Sequence, residues 1–379
     1  MITIRRFLII IVAFLSFFLG GCWNYRGINE LETVIGLAID EGTKKNSYLL
    51  TYENVDLSEA AGPLGIVKSK FIRSEGTTIF DAIRKAEKRS GNKLYFNQMQ
   101  VVIVSDKIAK EVGIRTIIEW FMKDGETREN LHFVISPGNA RDLFLSKPIS
   151  TRFVSTEIGN IIENDNKISS FTKNIHLYEI FNVLSSEGMS LLLPAFMTVQ
   201  NDKEKTIESS GSAVFKNSKM IGRISSDDTQ SALFVTDEVR GGLLTADLNK
   251  KGRDDVSLEI DTSKTKLKYT FDGKQVSFKI DVETFVYLSE IPENIDLMNP
   301  ENQKRVEAAA GDRLKKRIEK AIKTVQTDFD SDIFGFGLTI RQKNNHLWYQ
   351  LNKKWGDYFK NIKVQVNCKI KIKNTGISK

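Results

Sequence analysis

Cysteine and histidine are scarce in this chain, and their scarcity removes several chemistries at once. The 379 residues hold two cysteines, Cys22 and Cys368, and three histidines, His132, His176 and His346. Two cysteines cannot build a disulfide framework, and no cysteine pair has metal-binding spacing. None of the histidines stands in a His-Glu-x-x-His arrangement or another recognised metal spacing, so each reads as a structural residue and no metal is expected. No Gly-x-Ser-x-Gly elbow, phosphate loop or Gly-x-Gly-x-x-Gly fingerprint occurs. The pairs Asp227-Asp228 and Asp254-Asp255 sit near turns, where sequence neighbours do not face each other across a site as paired catalytic carboxylates must. Asp328-Phe-Asp330-Ser-Asp332 begins with calcium-loop spacing. Ile333 then replaces the required glycine and Thr339 the final glutamate, so an acidic loop at a helix end is expected. No enzyme and no cofactor is expected.

Long apolar runs are equally rare. One stretch qualifies, and it lies at the start. Arg5 and Arg6 are followed by Phe7 to Leu19, apolar except for Ser16, then Gly20, Gly21 and Cys22. A cationic start, a short apolar core and small residues before a cut describe an export signal. The run of about thirteen residues is short of the ~20 that a bilayer-crossing helix needs. Leucine, two small residues and cysteine look like a bacterial lipoprotein signal. Cleavage is expected between Gly21 and Cys22, with a diacylglyceryl group on the Cys22 sulfur and an acyl group possible on its new amino group. Each buried methylene contributes about 0.8 kcal/mol, and stable anchoring needs two or more chains, which a diacylated Cys22 would have. Cys368, in an alternating segment, then has no partner and reads as a small buried hydrophobe. The net charge of +7 falls to about +5 once Arg5 and Arg6 are removed. For a basic exported protein anionic lipid is a better partner than nucleic acid, and the favoured reading of the charge is simply a solvated surface.

The mature chain alternates strands and helices. Strands are expected at Val34–Asp40, Tyr48–Val55, Lys70–Glu75, Met99–Ser105 and Leu131–Ser136, the last two apolar enough for burial on both faces. A helix begins after Thr77 or Thr78, buries Phe80, Ile83 and Ala86, and stops at Gly91. A second runs from Asp106 to near Gly125. Polar Asn201 to Lys205 reads as a linker. Beyond it, Asp272-Gly273 marks a hairpin between alternating runs. Glu301 to Gln326 is a helix with one apolar stripe from Val306 to Val325, and Ile362 to Ile372 is a final strand. The expected class is α+β, multidomain, with mixed sheets and helices packed on them after a cleaved signal peptide. The expected divisions are residues 1–21, an N-terminal α/β domain at 22–200 and a C-terminal α+β region at 207–379, with subdomains near 207–290 and 291–379.

Several of these segments occur together in one known family. Cys22-Trp23 with Arg26 and Asn29-Glu30-Leu31, the strand Gly36-Leu37-Ala38-Ile39-Asp40, and Thr77-Thr78-Ile79-Phe80-Asp81-Ala82 with Asn97-Gln98-Met99-Gln100-Val101 appear in its order. Phe121 to Asp124 with Arg128, Gly211 to Phe215, Asp332-Ile333-Phe334-Gly335-Phe336-Gly337, Trp348, Trp355 and Gly376 follow. Across nearly the whole mature chain the sequence resembles the Ger(x)C family, lipoprotein C subunits of nutrient germinant receptors in spore-forming bacteria. The resemblance implies three mixed α/β domains on a lipid anchor outside the inner spore membrane. It implies no enzymatic activity, and as partners a polytopic A subunit and a transporter-like B subunit. Cys22 alone is carried over as a functional residue. Two rival readings are a lipid-anchored solute-binding protein delivering a nutrient to a transporter and a lipid-anchored hydrolase.

Overall fold

The structure, a computed structural model, describes residue 5 and residues 30–58, 67–248, 255–292 and 295–373. Gly21 and Cys22, and with them the signal and anchor readings, lie outside the described residues, as do Asp254 and Gly376. Among the described residues no helix is long and apolar enough to cross a membrane.

The N-terminal lobe begins with an antiparallel meander of β1 (Leu31–Glu41), β2 (Tyr48–Asp56) and β3 (Lys68–Gly76). β4 (Lys93–Tyr95) and β5 (Val101–Ser105) run parallel to β1, and β6 (His132–Ser136) parallel to β5. β7 (Leu192–Asn201), β8 (Glu204–Lys216) and β9 (Lys219–Ile224) extend the sheet to the order β3-β2-β1-β5-β6-β7-β8-β9, with β4 beside β1. Among the described residues six helices connect these strands: α1 (Ile79–Ser90), α2 (Asp106–Glu111), α3 (Arg115–Lys123), α4 (Ala140–Phe144), α5 (Val154–Ile168) and α6 (Leu177–Ser185). Successive strand residues point to opposite faces. Leu37, Ile39, Val102, Val104, Phe133 and Ile135 pack with α1, α2, α3 and α6. Ala38, Val101, Ile103 and Val134 pack with α4 and α5. Covering both faces explains why β5 and β6 are apolar almost throughout.

Three local expectations need correction. The first turn of α1 starts at Ile79, so Ile79, Ala82, Ile83 and Ala86 form the buried stripe. Phe80 is 49% exposed, and the Arg84 guanidinium lies 4.6 Å over its ring. The helix expected from Asp106 is broken into α2 and α3 by Gly113, whose φ of +87° leaves the helical region. The polar stretch 201–205 is no linker. Asp202-Lys203 turns a tight hairpin, Asn201 pairs with Glu204, and Asp202 takes the positive φ that such turns require. A polar run of this length reads the same in either role.

Two buried carboxylates tie the meander to the helices behind it. Asp40, at the end of β1, accepts from Ala140 N–H (2.6 Å) and Arg141 N–H (3.1 Å) at the start of α4. Burial pushes its pKa up, and the two amide donors pull it partly back. Glu53 on β2 is fully buried. It accepts from Val154 N–H (3.1 Å) and Ser155 N–H (2.9 Å) at the first turn of α5, from Ser155 Oγ, and from Ser69 Oγ (2.8 Å). Anionic groups at a helix start satisfy amides that have no partner within the helix.

The C-terminal lobe comprises α7 (Ser226–Val235), β10 (Leu243–Ala246), β11 (Val256–Phe271), β12 (Val276–Glu290), α8 (Pro300–Thr324), α9 (Phe336–Lys343), α10 (Asn345–Leu351), α11 (Trp355–Asn361) and β13 (Lys363–Ile372). Its sheet runs β10-β11-β12-β13, with β13 parallel to β12. Asp272 Oδ1 accepts from Lys274 and Gln275 N–H and closes the β11–β12 hairpin. Helix α8 is capped by the Asn299 side chain with Pro300 in its first turn. Its stripe from Val306 to Ile322 is buried against the sheet. At Gly311 an added Cβ would lie 3.0 Å from Cys368 O, so the glycine lets α8 approach β13 closely. Leu192 of β7 and Val214 of β8 are buried in this same core. The two lobes therefore share side chains through β7 and β8.

Candidate functional site

The lobes meet where the segment 186–190, after α6, docks on the turn 331–337, before α9. Asp332 organises that turn. Its Oδ1 accepts from Phe334 N–H (3.2 Å) and Phe336 N–H (3.1 Å), and its Oδ2 from Gly337 N–H (2.8 Å) and Trp355 Nε1–H (3.1 Å). Burial pushes its pKa up to about 6, against the pull of these four donors. Gly335, with φ of +70°, lets the chain fold back over the carboxylate before α9 begins. Phe334 and Phe336 stack below at 5.5 Å and fill the core.

The docking segment is held by its backbone. Ser190 N–H donates to Asp332 O (2.8 Å), and Leu338 N–H donates to Gly188 O (2.6 Å). Gly188 has φ of +92°, and a Cβ there would lie 2.6 Å from Leu338 N. Glu187 reaches the other way. Its Oε2 accepts from Trp348 Nε1–H (3.0 Å) and Asn352 Nδ2–H (3.4 Å). Ser331 Oγ donates to Phe215 O on β8 (2.6 Å), and Asp330 pairs with Lys216 (2.8 Å) and Lys360 (3.1 Å).

Above these contacts lies a cleft of about 410 Å³, walled by Arg115, Glu187, Asn217, Trp348, Lys353 and Trp355 among others. A smaller cavity of about 190 Å³ adjoins it, where Lys173 pairs with Glu238 across the lobes. Among the described residues the cleft lining contains no histidine and no cysteine. Glu187 joins the two walls through Trp348 and Asn352, while the Asp332 carboxylate and the Trp355 indole N–H are engaged within the C-terminal wall. Such a surface can recognise a partner or a small polar molecule, and it offers no nucleophile with an adjacent base.

The residues weighed from sequence fall elsewhere or have other duties. The three aspartates of the calcium-like stretch have separate protein partners: Thr327 for Asp328, lysines for Asp330 and amides for Asp332. Asp227 pairs with Arg317 (2.9 Å), and Asp228 receives Ser225 Oγ–H at the start of α7. Cys368 is partly buried, and burial pushes its thiol up to about 12. His346 is exposed on α10 with Gln350 Nε2 3.2 Å away. His132 and His176, distant in sequence, stand side by side with Glu163. Burial and the neighbouring His176 hold the His132 pKa below its ordinary value.

Comparison with known proteins identifies this architecture. Residues 24–198 match the family model "Spore germination protein N-terminal domain", and residues 210–376 match "Spore germination B3/ GerAC like, C-terminal". Spore germination protein KC of Bacillus subtilis (strain 168) is 25% identical, over 99% of this chain and 97% of its own. Spore germination protein YndF of the same organism is 24% identical, over 98% of this chain and 96% of its own. The crystal structure of the GerBC protein superposes with a TM-score of 0.58 at 22% identity, covering 89% of this chain and 97% of that one, and shares the fold. The two family models follow in order along the chain and together span nearly all of it, so the chain belongs to the Ger(x)C family of spore germination proteins.

Proposed function

We propose that this chain is the lipid-anchored, non-enzymatic C subunit of a spore nutrient germinant receptor, needed for assembly or signalling of that receptor. The observation that carries the reading is the full-length, in-order match to both halves of a germination family. The lobe junction supports it. A junction fixed by the bonds of Glu187, Ser190 and Leu338 suits a scaffold that presents an interface to membrane subunits, a polytopic A protein and a transporter-like B protein. The anchor is Cys22, and the site of action is the outer face of the inner spore membrane.

The test is a pair of strains. Deletion of the chain should abolish the response to the cognate nutrient while leaving germination by a non-nutrient trigger unchanged. Cys22→Ala should release the protein from the membrane fraction and weaken the nutrient response. Normal nutrient germination in the deletion strain would overturn the proposal.

The solute-binding alternative draws on one observation, the cleft between two lobes. That alternative needs lobes that open, whereas here direct hydrogen bonds from Ser190 to Asp332 and from Leu338 to Gly188 bridge the walls. Titration of the purified chain with amino acids and sugars is expected to be flat. Saturable micromolar binding would favour the alternative.

A further inference from the structure

His132 opens β6, and His176 lies in the extended segment just before α6. An isolated antiparallel bridge pairs the two residues and sets their ring centroids 4.6 Å apart. Glu163, on α5, reaches the same point. Its Oε1 lies 3.3 Å from His132 Nε2 and 3.9 Å from His176 Nε2. The far edge of each ring is also fixed. His132 Nδ1 is 3.3 Å from Ile175 O, and His176 Nδ1 is 3.1 Å from Asn130 O. A carbonyl oxygen can only accept, so each Nδ1 carries the ring hydrogen and each Nε2 presents a lone pair. With both rings neutral, two imidazole lone pairs and a carboxylate oxygen converge with no hydrogen among them.

We propose that His132, Glu163 and His176 form a binding site for a zinc-type divalent transition-metal ion. Two imidazole nitrogens and one carboxylate oxygen are a donor set that zinc accepts, whereas calcium and magnesium take oxygen ligands. Bonds of about 2.0–2.1 Å in a tetrahedron separate the ligand atoms by roughly 3.3 Å. The His132–Glu163 distance already matches. The three donor atoms lie within 4.8 Å of one another, and the Glu163 side chain, 47% exposed, can shorten its 3.9 Å distance to His176 Nε2 by a torsion. Backbone carbonyls on Nδ1 are the outer partners that orient metal-ligating histidines. A single proton between Glu163 and one ring would satisfy one pair and leave the other Nε2 facing a like group. One cation satisfies all three. The fourth position opens to solvent beside Glu163, so water or a partner's side chain completes it. The ion would clasp β6 of the sheet to α5 and to the start of α6, two helices that pack on its opposite faces.

The experiment is a titration of the purified, untagged full chain with Zn²⁺ against a chromophoric chelator, repeated for Glu163→Gln and His176→Gln. His346→Gln is the control. One equivalent should bind, at least tenfold more tightly than to either ligand variant, and Zn²⁺ should raise the melting temperature of the wild type and the control but not of the ligand variants. Co²⁺ should give the intense visible absorption of a low-coordinate site in the wild type and the control but not in the ligand variants. Metal-free melting of Glu163→Gln serves as the folding check, since that residue is half exposed, and this variant alone decides should His176→Gln fail to fold. No saturable equivalent, or binding of equal strength in Glu163→Gln, would overturn the proposal.

Discussion

Replacing Asp332 by asparagine separates two effects that the site sets against each other. The amide keeps the shape of the carboxylate but turns one acceptor into a donor. Whichever way it lies, two of the four N–H groups of Phe334, Phe336, Gly337 and Trp355 then face an NH₂. Each stranded buried donor costs about 1–3 kcal/mol, so roughly 4 kcal/mol is lost. Opposing this, the neutral amide escapes the burial that raises the carboxyl pKa from 3.8 to about 6. That rise corresponds to about 3 kcal/mol at most, at 1.36 kcal/mol per unit. The sign follows from proton binding. With its folded pKa above its unfolded one, Asp332 contributes stability that is fully present below about pH 4 and is lost as pH rises through about 6. The asparagine lacks this dependence. Asp332→Asn should therefore destabilise by about 1 kcal/mol at pH 7 and by about 4 kcal/mol at pH 4. Urea unfolding followed by tryptophan fluorescence at both pH values measures it, and taking the difference from wild type cancels the other titrating groups. A cost below about 0.5 kcal/mol at both pH values, or one that is larger at pH 7 than at pH 4, would refute the reasoning.

Three further outcomes follow from the same geometry. Gly188→Ala should cost about 2 kcal/mol or more, from its positive φ and the contact with Leu338 N, and should shift the fluorescence of Trp348; an unchanged melting curve would count against the docking described. Glu53→Ala should cost on the order of 3 kcal/mol, because the α5 amides and two serine hydroxyls lose a fully buried acceptor; denaturant melts measure it, and a change within 0.5 kcal/mol, about the size of an ordinary surface substitution, would contradict it. In a chain carrying Cys22→Ala, Cys368 should react with a thiol reagent at pH 8 only on unfolding, since its pKa of about 12 leaves almost no thiolate; fast reaction of the folded chain would refute this.

The elements legible in the sequence are those whose burial leaves a period. β5 and β6 read as central strands because nearly every residue is apolar, and both faces are indeed covered by helices. The stripe of α8, the Gly91 stop of α1 and the Asp272-Gly273 hairpin were equally readable, each resting on a local rule. Where two structures share one local signal, the sequence was silent. Polar 201–205 suits a linker and a hairpin alike, and Phe80 sits one residue off a stripe that Ile79 completes. Asp332 looked like one acid among three in an acidic loop. Its partners are amides two to five residues ahead, and the one available hint was the Gly-Phe-Gly turn that brings them back. The trio of His132, Glu163 and His176 had no sequence signal. Only the pairing of β6 with the segment before α6 brings the two rings together, and α5 delivers the carboxylate from the other layer.

The central claim, that the chain works as one subunit of a receptor, is tested most directly by co-purification. The chain would be tagged at its C-terminus, crosslinked in spore membranes, solubilised in mild detergent and captured, and its companions identified by mass spectrometry. The account predicts recovery with a polytopic membrane protein bearing soluble domains and a transporter-like membrane protein. Recovery with an ATP-driven permease, or of the chain alone after crosslinking, would contradict it.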